Sequence, residues 1–235
     1  MLPQPAPLVD QGAAHAMRAS SSIERQDLKG RYQGRPLRVL VIPGLRNSGE
    51  AHWQTWLQAQ YRGAVRVQQD DWERPDIEAW SHRIAQTIAR ASPDTEWIAV
   101  AHSFGCLALS HYLHHLAPRT QAPSREQGIR SALLVAPADP DKFGLASQLP
   151  QTGLGIASTL IASETDPWMP LDRAQAWAHT WGSRFINLGD AGHINVDSGF
   201  GPWPLARYWV DHLVRDVQRT RRLQRAHPLE LHYAV

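Results

Sequence analysis

The chain has a single cysteine in 235 residues, Cys106, which excludes an internal disulfide and fits a reducing, cytoplasmic setting. No apolar run approaches the roughly 20 residues that a bilayer span requires. The N-terminus shows no basic stretch followed by an apolar core, so no secretory signal is expected. Charge of one sign is also missing: 24 Lys and Arg stand against 22 Asp and Glu, a formal net charge of +2. So small an imbalance gives no field to draw in nucleic acid or a membrane surface. No internal repeat is visible.

What the chain does contain is apolar residue, 43% of the total, enough to bury a large core in one domain. Ten tryptophans are present; such rings pack in a core or line a cleft. Residues 1–35 read as an N-terminal tail of weak order, broken by Pro3, Pro5 and Pro7, with a short amphipathic helix at most around Gln11–Arg18. Residues 36–220 read as the folded domain and 221–235 as a C-terminal tail.

Within the domain, strand and helix patterns alternate. Leu37–Ile42 is nearly continuously apolar, as a strand buried on both faces should be. Val65–Val67, Ile98–Ala101, Ala132–Ala136, Thr159–Ser163 and Arg184–Leu188 supply further strands. Helical spacing separates them, for example Ile77, Trp80, Ile84 and Ile88 at intervals of three and four. Residues 118–130 read as a polar connection, and 141–157 as an excursion beside the substrate mouth. From Pro204 to about Arg225 a last helix is expected to turn Leu205, Tyr208, Trp209, Leu213 and Val217 inward. The alternation predicts an α/β fold of about six mostly parallel strands, a three-layer sandwich without a lid, its site at the carboxyl ends of the strands.

The stretch Trp97–Leu109 carries the chemistry. An apolar strand runs into His102-Ser103-Phe104-Gly105 and then a helix, with small residues (Ala101, Gly105) two positions either side of Ser103. That is the sharp strand-to-helix turn called a nucleophile elbow, here with Ala in the first small position. A lone S-x-G proves little, because serine before an apolar helix also serves as an ordinary N-cap. The weight comes from two residues later in the chain. Asp166 lies just past one strand and His193 just past another, giving the order nucleophile, acid, histidine. A serine hydroxyl needs an imidazole to take its proton, and the imidazole needs a carboxylate to fix its tautomer. Ser103, Asp166 and His193 are therefore the candidate catalytic residues. The N–H groups of Leu45 and Phe104 are the candidate oxyanion hole.

Other residues compete for these roles. Asp139 ends the preceding strand, Asp172 lies inside a helix, and Asp190 sits in a turn. His102 reads as pocket lining or support. Cys106 reads as a small buried residue. His111 and His115 have chelating spacing but no third ligand, so no metal is expected. Trp53, Trp72, Trp168 and Trp203 lie near strand ends and either line an aromatic cleft or belong to the core.

The pattern resembles the retinoblastoma-binding-protein-nine type, or YdeN-like, small serine hydrolases of the α/β-hydrolase superfamily. The resemblance runs from about residue 37 to 215. It is carried by Val41-Ile42-Pro43-Gly44-Leu45 with His52-Trp53, by Asp71-Trp72-Glu73-Arg74-Pro75 with Trp80, and by Ala101 to Cys106. Val135 to Asp139, Ser163 to Pro167 and the long block from Gly189 to Pro204 complete it. It implies a compact hydrolase without a lid, its triad falling on Ser103, Asp166 and His193. The partner recognition behind the family's name uses an L-x-C-x-E motif, which the surroundings of Cys106 do not match, so it is not carried over.

The expected activity is hydrolysis of small esters or activated amides through an acyl-enzyme, with no cofactor. The expected partner is a small-molecule substrate, with neither nucleic acid nor membrane, on a monomer or weak homodimer. A non-catalytic partner-binding protein on the same scaffold, or an acyltransferase using the same triad, are the alternatives.

Overall fold

A computed structural model describes residues 35–117 and 128–225. The chain divides into Met1–Pro36 and a second unit that begins at Leu37. The N-terminal tail with its Gln11–Arg18 helix, most of the 118–130 connection, and residues 226–235 lie outside the described residues.

Among the described residues six parallel strands form one open sheet: β1 (Leu37–Ile42), β2 (Val65–Arg66), β3 (Glu96–His102), β4 (Gly128–Val135), β5 (Ala157–Ala162) and β6 (Arg184–Asn187), in the order β2-β1-β3-β4-β5-β6. β3 lies at the centre and is buried at every residue, which explains its unbroken apolar reading. β4 begins at Gly128, earlier than the sequence suggested, because Gly128 and Ile129 pair with Glu96 and Trp97.

Among the described residues five helices cover the two faces. On one face, α2 (Ile77–Ala89), α3 (Phe104–His115) and α4 (Leu171–Trp181) bury Trp80, Ile84, Leu107 and Trp181 against Leu40, Ala99 and Leu134. On the other, α1 (Trp53–Ala59) and α5 (Pro204–Arg225) bury Trp53, Leu57, Val210 and Leu213 against Val39, Val41, Val100 and Leu133. Successive strand residues thus feed opposite layers, as the pleat requires.

The last helix differs from its sequence reading. Leu205 and Tyr208 are 41% and 59% exposed, while Ala206 and Val210 are fully buried and Leu213 nearly so. The buried stripe runs Ala206, Val210, Leu213, Val217, at spacings of four, three and four. Trp209, Leu213 and Val217 turn inward as expected, and only Leu205 and Tyr208 do not, their place being taken by Ala206 and Val210. The helix runs to Arg225, as its sequence reading expected. Arg221 pairs there with Glu96, at the buried start of β3, which Arg130 also holds at 2.8 Å.

Among the described residues no helix is long and apolar enough to cross a membrane. No group of three or more His, Cys, Asp or Glu there is placed to hold a metal. The His115 ring bonds the Gln148 carbonyl, and His111 bonds the buried Ser81 hydroxyl.

Candidate active site

Ser103 stands between β3 and α3 with φ 54° and ψ −125°. A non-glycine residue there is strained by on the order of 1–3 kcal/mol. The turn is closed because strand and helix meet tightly. A Cβ on Gly105 would lie 2.6 Å from the Ile42 carbonyl oxygen and closer still to that of Pro43. A Cβ on Gly44 would lie 2.7 Å from Ser103 Cβ. Only glycine permits β1's loop and the helix to approach the serine from both sides.

His193 Nε2 is 2.9 Å from Ser103 Oγ, and His193 Nδ1 is 2.9 Å from each carboxylate oxygen of Asp166. Both partner side chains are almost wholly buried, at 8% and 3% exposure. In this arrangement Nδ1–H donates to Asp166 and Nε2 is left to accept the serine proton. The rival carboxylates are occupied elsewhere. Asp139 receives Arg173 at 2.9 Å and the Asp141 N–H. Asp172 accepts from the Arg173 N–H at the start of α4. Asp190 accepts the Thr165 hydroxyl at 2.7 Å.

Small hydroxyls that the sequence did not single out lace the acid loop to the histidine loop. The Ser163 hydroxyl, fully buried, donates to the Gly189 carbonyl and accepts from Ala191 N–H, both at 3.0 Å. Thr165 Oγ1 accepts from Gly192 N–H. Ser198 Oγ accepts from His193 N–H at 3.0 Å and donates to Asn195 Oδ1. Gly192, at φ 51°, is obligatory there, because a Cβ would strike the Ser198 side chain. The next residue but one, Ile194, holds φ 49° although β-branched, a conformation uncommon for such a side chain. Gln54, also missed, is fully buried; its amide donates to the carbonyls of Ile42 and Val100 and accepts the Ser48 hydroxyl. These residues escape periodicity arguments, and only the position of Ser163, Thr165 and Ser198 in the loops that carry Asp166 and His193 marks them.

The candidate oxyanion donors flank the serine. Among the described residues neither the Leu45 nor the Phe104 N–H has a hydrogen-bond partner. The loop carrying Leu45 is fixed from behind by Arg46 N–H donating to the Trp72 carbonyl at 2.9 Å. Arg46 and Asn47 both adopt left-handed backbone, at φ 64° and 62°.

A cleft of about 380 Å³ opens over Ser103, bounded by Leu45, Phe143, Trp168, Ala138, Val196 and His52 among others. Of the five expected pocket residues, His102 and Trp168 line it. Trp53, Trp72 and Trp203 do not. Trp53 is fully buried, edge-on to Trp203 at 5.3 Å, and both belong to the core beneath the site. Trp72 packs edge-on to Trp80. Their indoles are too large to be left in water when a core face adjoins them. Trp168 is the exposed ring, 47% accessible, at 6.1 Å from the His193 ring and capped by the Lys142 ammonium at 5.3 Å.

Two further imidazoles lie beside the base. Burial pushes His52 down to about 4, with help from the nearby Arg66 and His193. Burial, then His193 and His52, keeps His102 well below the ordinary histidine value. Both rings are therefore neutral near pH 7 and add no positive charge next to His193. Burial pushes the Cys106 thiol far up, so it is not a rival nucleophile.

An open parallel sheet with helices on both faces, bearing a serine on a strained strand-to-helix turn, defines an α/β-hydrolase. The chain belongs to the serine hydrolase family, whose sequence profile matches residues 39–223, and within it to the YdeN-like hydrolases. A YdeN-like hydrolase from Pectobacterium atrosepticum is 32% identical over 77% of this chain and 90% of that one, with a TM-score of 0.67. The ydeN gene product of B. subtilis shares the fold at 22% identity and TM-score 0.60, over 76% of this chain and 98% of that one. So does an α/β-superfamily hydrolase of Xanthomonas campestris, at 17% identity and TM-score 0.52, over 78% and 99%. No curated protein matches the chain.

Proposed function

We propose that this hydrolase cleaves small esters or activated amides through an acyl-enzyme on Ser103. The observation that carries the reading is the continuous contact from Asp166 through His193 to Ser103 Oγ, each step at 2.9 Å. His193 Nε2 takes the proton from Ser103 as Oγ attacks the acyl carbonyl. Charge developing on the carbonyl oxygen is met by the N–H groups of Leu45 and Phe104, each worth about 3–4 kcal/mol in such sites. His193 then passes its proton to the departing alcohol or amine. Water, activated by the same imidazole, attacks the ester of Ser103 and releases the acid. Asp166 keeps the tautomer correct and stabilises the imidazolium throughout.

The cleft sets the substrate's size. At about 380 Å³ it stands near the lower end of ligand pockets. Leu45, Phe143, Trp168 and Val196 give it apolar walls, which favours compact apolar acyl or leaving groups. The buried lone cysteine fits a reducing, cytoplasmic compartment.

Turnover of a short-chain nitrophenyl ester tests the reading. Wild-type protein should hydrolyse it, and Ser103→Ala should lose that turnover while staying folded by circular dichroism. Equal turnover in Ser103→Ala would reject the assignment.

A further inference from the structure

We infer that His102 and Trp53 are positioning residues that jointly hold His193 over Ser103 through the backbone of its loop, a role that rests on the hydrolase reading. His102 Nε2–H donates to the carbonyl of His193 itself at 3.0 Å, and Trp53 Nε1–H donates to the next carbonyl, that of Ile194, at 2.8 Å. Two consecutive carbonyls of the histidine loop are thus anchored by two buried ring donors. Those donors come from different elements: Trp53 opens α1 and His102 closes β3.

His102 directly precedes Ser103. The residue before the nucleophile therefore grips the peptide of the base, linking the two reacting groups by a bond that involves neither reacting atom. Trp53 and His102 brace one another edge-on at 5.9 Å, and Trp203 supports Trp53 from behind. Ile194 shows why two anchors are needed. Its left-handed backbone is disfavoured for a β-branched side chain and persists only where the surroundings over-determine it. Gly192, on the other side of His193, is left-handed as well. Release of either carbonyl lets Ile194 relax towards negative φ and rotates the imidazole away from the serine hydroxyl.

The donors impose a protonation state. His102 must carry its proton on Nε2 to donate, and its burial keeps the ring neutral. The groups facing it are the His52 and His193 rings, with Arg66 behind His52 and Asp166 behind His193.

The test compares Trp53→Phe, which keeps a packed ring and loses only the donor, with His102→Ala and His102→Gln. Trp53→Phe and His102→Ala should each lower kcat by about tenfold or more, as small misplacements of a catalytic group do, with KM within about twofold. His102→Gln, which retains an N–H at similar reach, should lose less than His102→Ala. Because both anchors hold one segment, the double variant should be no slower than the slower single. Wild-type-like kcat in Trp53→Phe or multiplicative losses in the double variant would overturn the proposal.

One readout does not depend on turnover. The proton shared by His193 Nδ1 and Asp166 should exchange faster by NMR in Trp53→Phe, and unchanged exchange contradicts the inference. If the wild type hydrolyses nothing, the hydrolase reading fails, and the exchange measurement still decides whether these two residues hold His193.

Discussion

Asp166 presents both carboxylate oxygens to Nδ1 of His193 at the same distance, 2.9 Å, and also accepts the Trp168 N–H at 2.8 Å. The carboxylate is therefore locked, and the imidazole has one tautomer and one orientation. Asp166→Asn should fold normally and lower kcat by about 10⁴-fold at neutral pH, since the amide favours the wrong tautomer. Steady-state ester hydrolysis measures this. A loss below about tenfold would mean that another group orients the histidine.

Gly105 is where strand, loop and helix converge. Gly105→Ala places a Cβ against two backbone carbonyls, Ile42 and Pro43, neither of which can yield without moving β1. The expected cost is about 3 kcal/mol or more, visible as a fall in Tm and loss of activity together. Gly155→Ala is a useful contrast: it meets nothing within 4 Å and is strained only by its φ of 74°, so it should cost about 1 kcal/mol.

The gathering of Ser103, Asp166 and His193 at one sheet edge was legible because each comes just after a strand with a strong apolar signature. Chain order and strand ends carry that much. The tryptophans were not legible in the same way. Trp53, Trp72 and Trp203 sit near strand ends just as Trp168 does, and only the packing of α1, α2 and α5 separates core rings from the cleft ring. The hydroxyls of Ser163, Thr165 and Ser198 were silent for a related reason. Loop hydrogen bonds have no period, and a small hydroxyl in a loop reads as a turn residue whatever it holds. In α5 Trp209, Leu213 and Val217 turn inward as read, while Leu205 and Tyr208 do not and Ala206 takes a core position, because burial follows angular position on the helix and not side-chain size.

His52 makes stability pH-dependent. Its folded value of about 4 lies below the ordinary 6.5, so the unfolded chain binds the extra proton first. Stability is full above about pH 6.5 and falls as the pH drops towards 4, by up to about 3 kcal/mol from this group. Urea denaturation at pH 7.0, 5.5 and 4.5 should show the decline, and His52→Gln should flatten part of it. An unchanged slope in the variant contradicts the assignment.

Glu96 ties the far end of the molecule. Burial alone would raise its carboxyl, but Arg221 and Arg130 outweigh burial and hold it below the ordinary value. Its stabilising charge is present at neutral pH and is lost as the pH falls through the acid range. Glu96→Gln should cost about 1–3 kcal/mol at pH 7. The lower part of that range is expected, because the side chain of Arg130 is 40% exposed and stays hydrated. Hydrogen exchange should show the last turns of α5 opening more readily in this variant, and unaltered exchange there would contradict the role.

The most direct measurement is mass-spectrometric mapping of a fluorophosphonate probe on the intact protein. One adduct on the peptide bearing Ser103, absent from Ser103→Ala and strongly slowed in Asp166→Asn, is the predicted result. A folded wild-type protein that takes no label, or takes it on another side chain, contradicts the account.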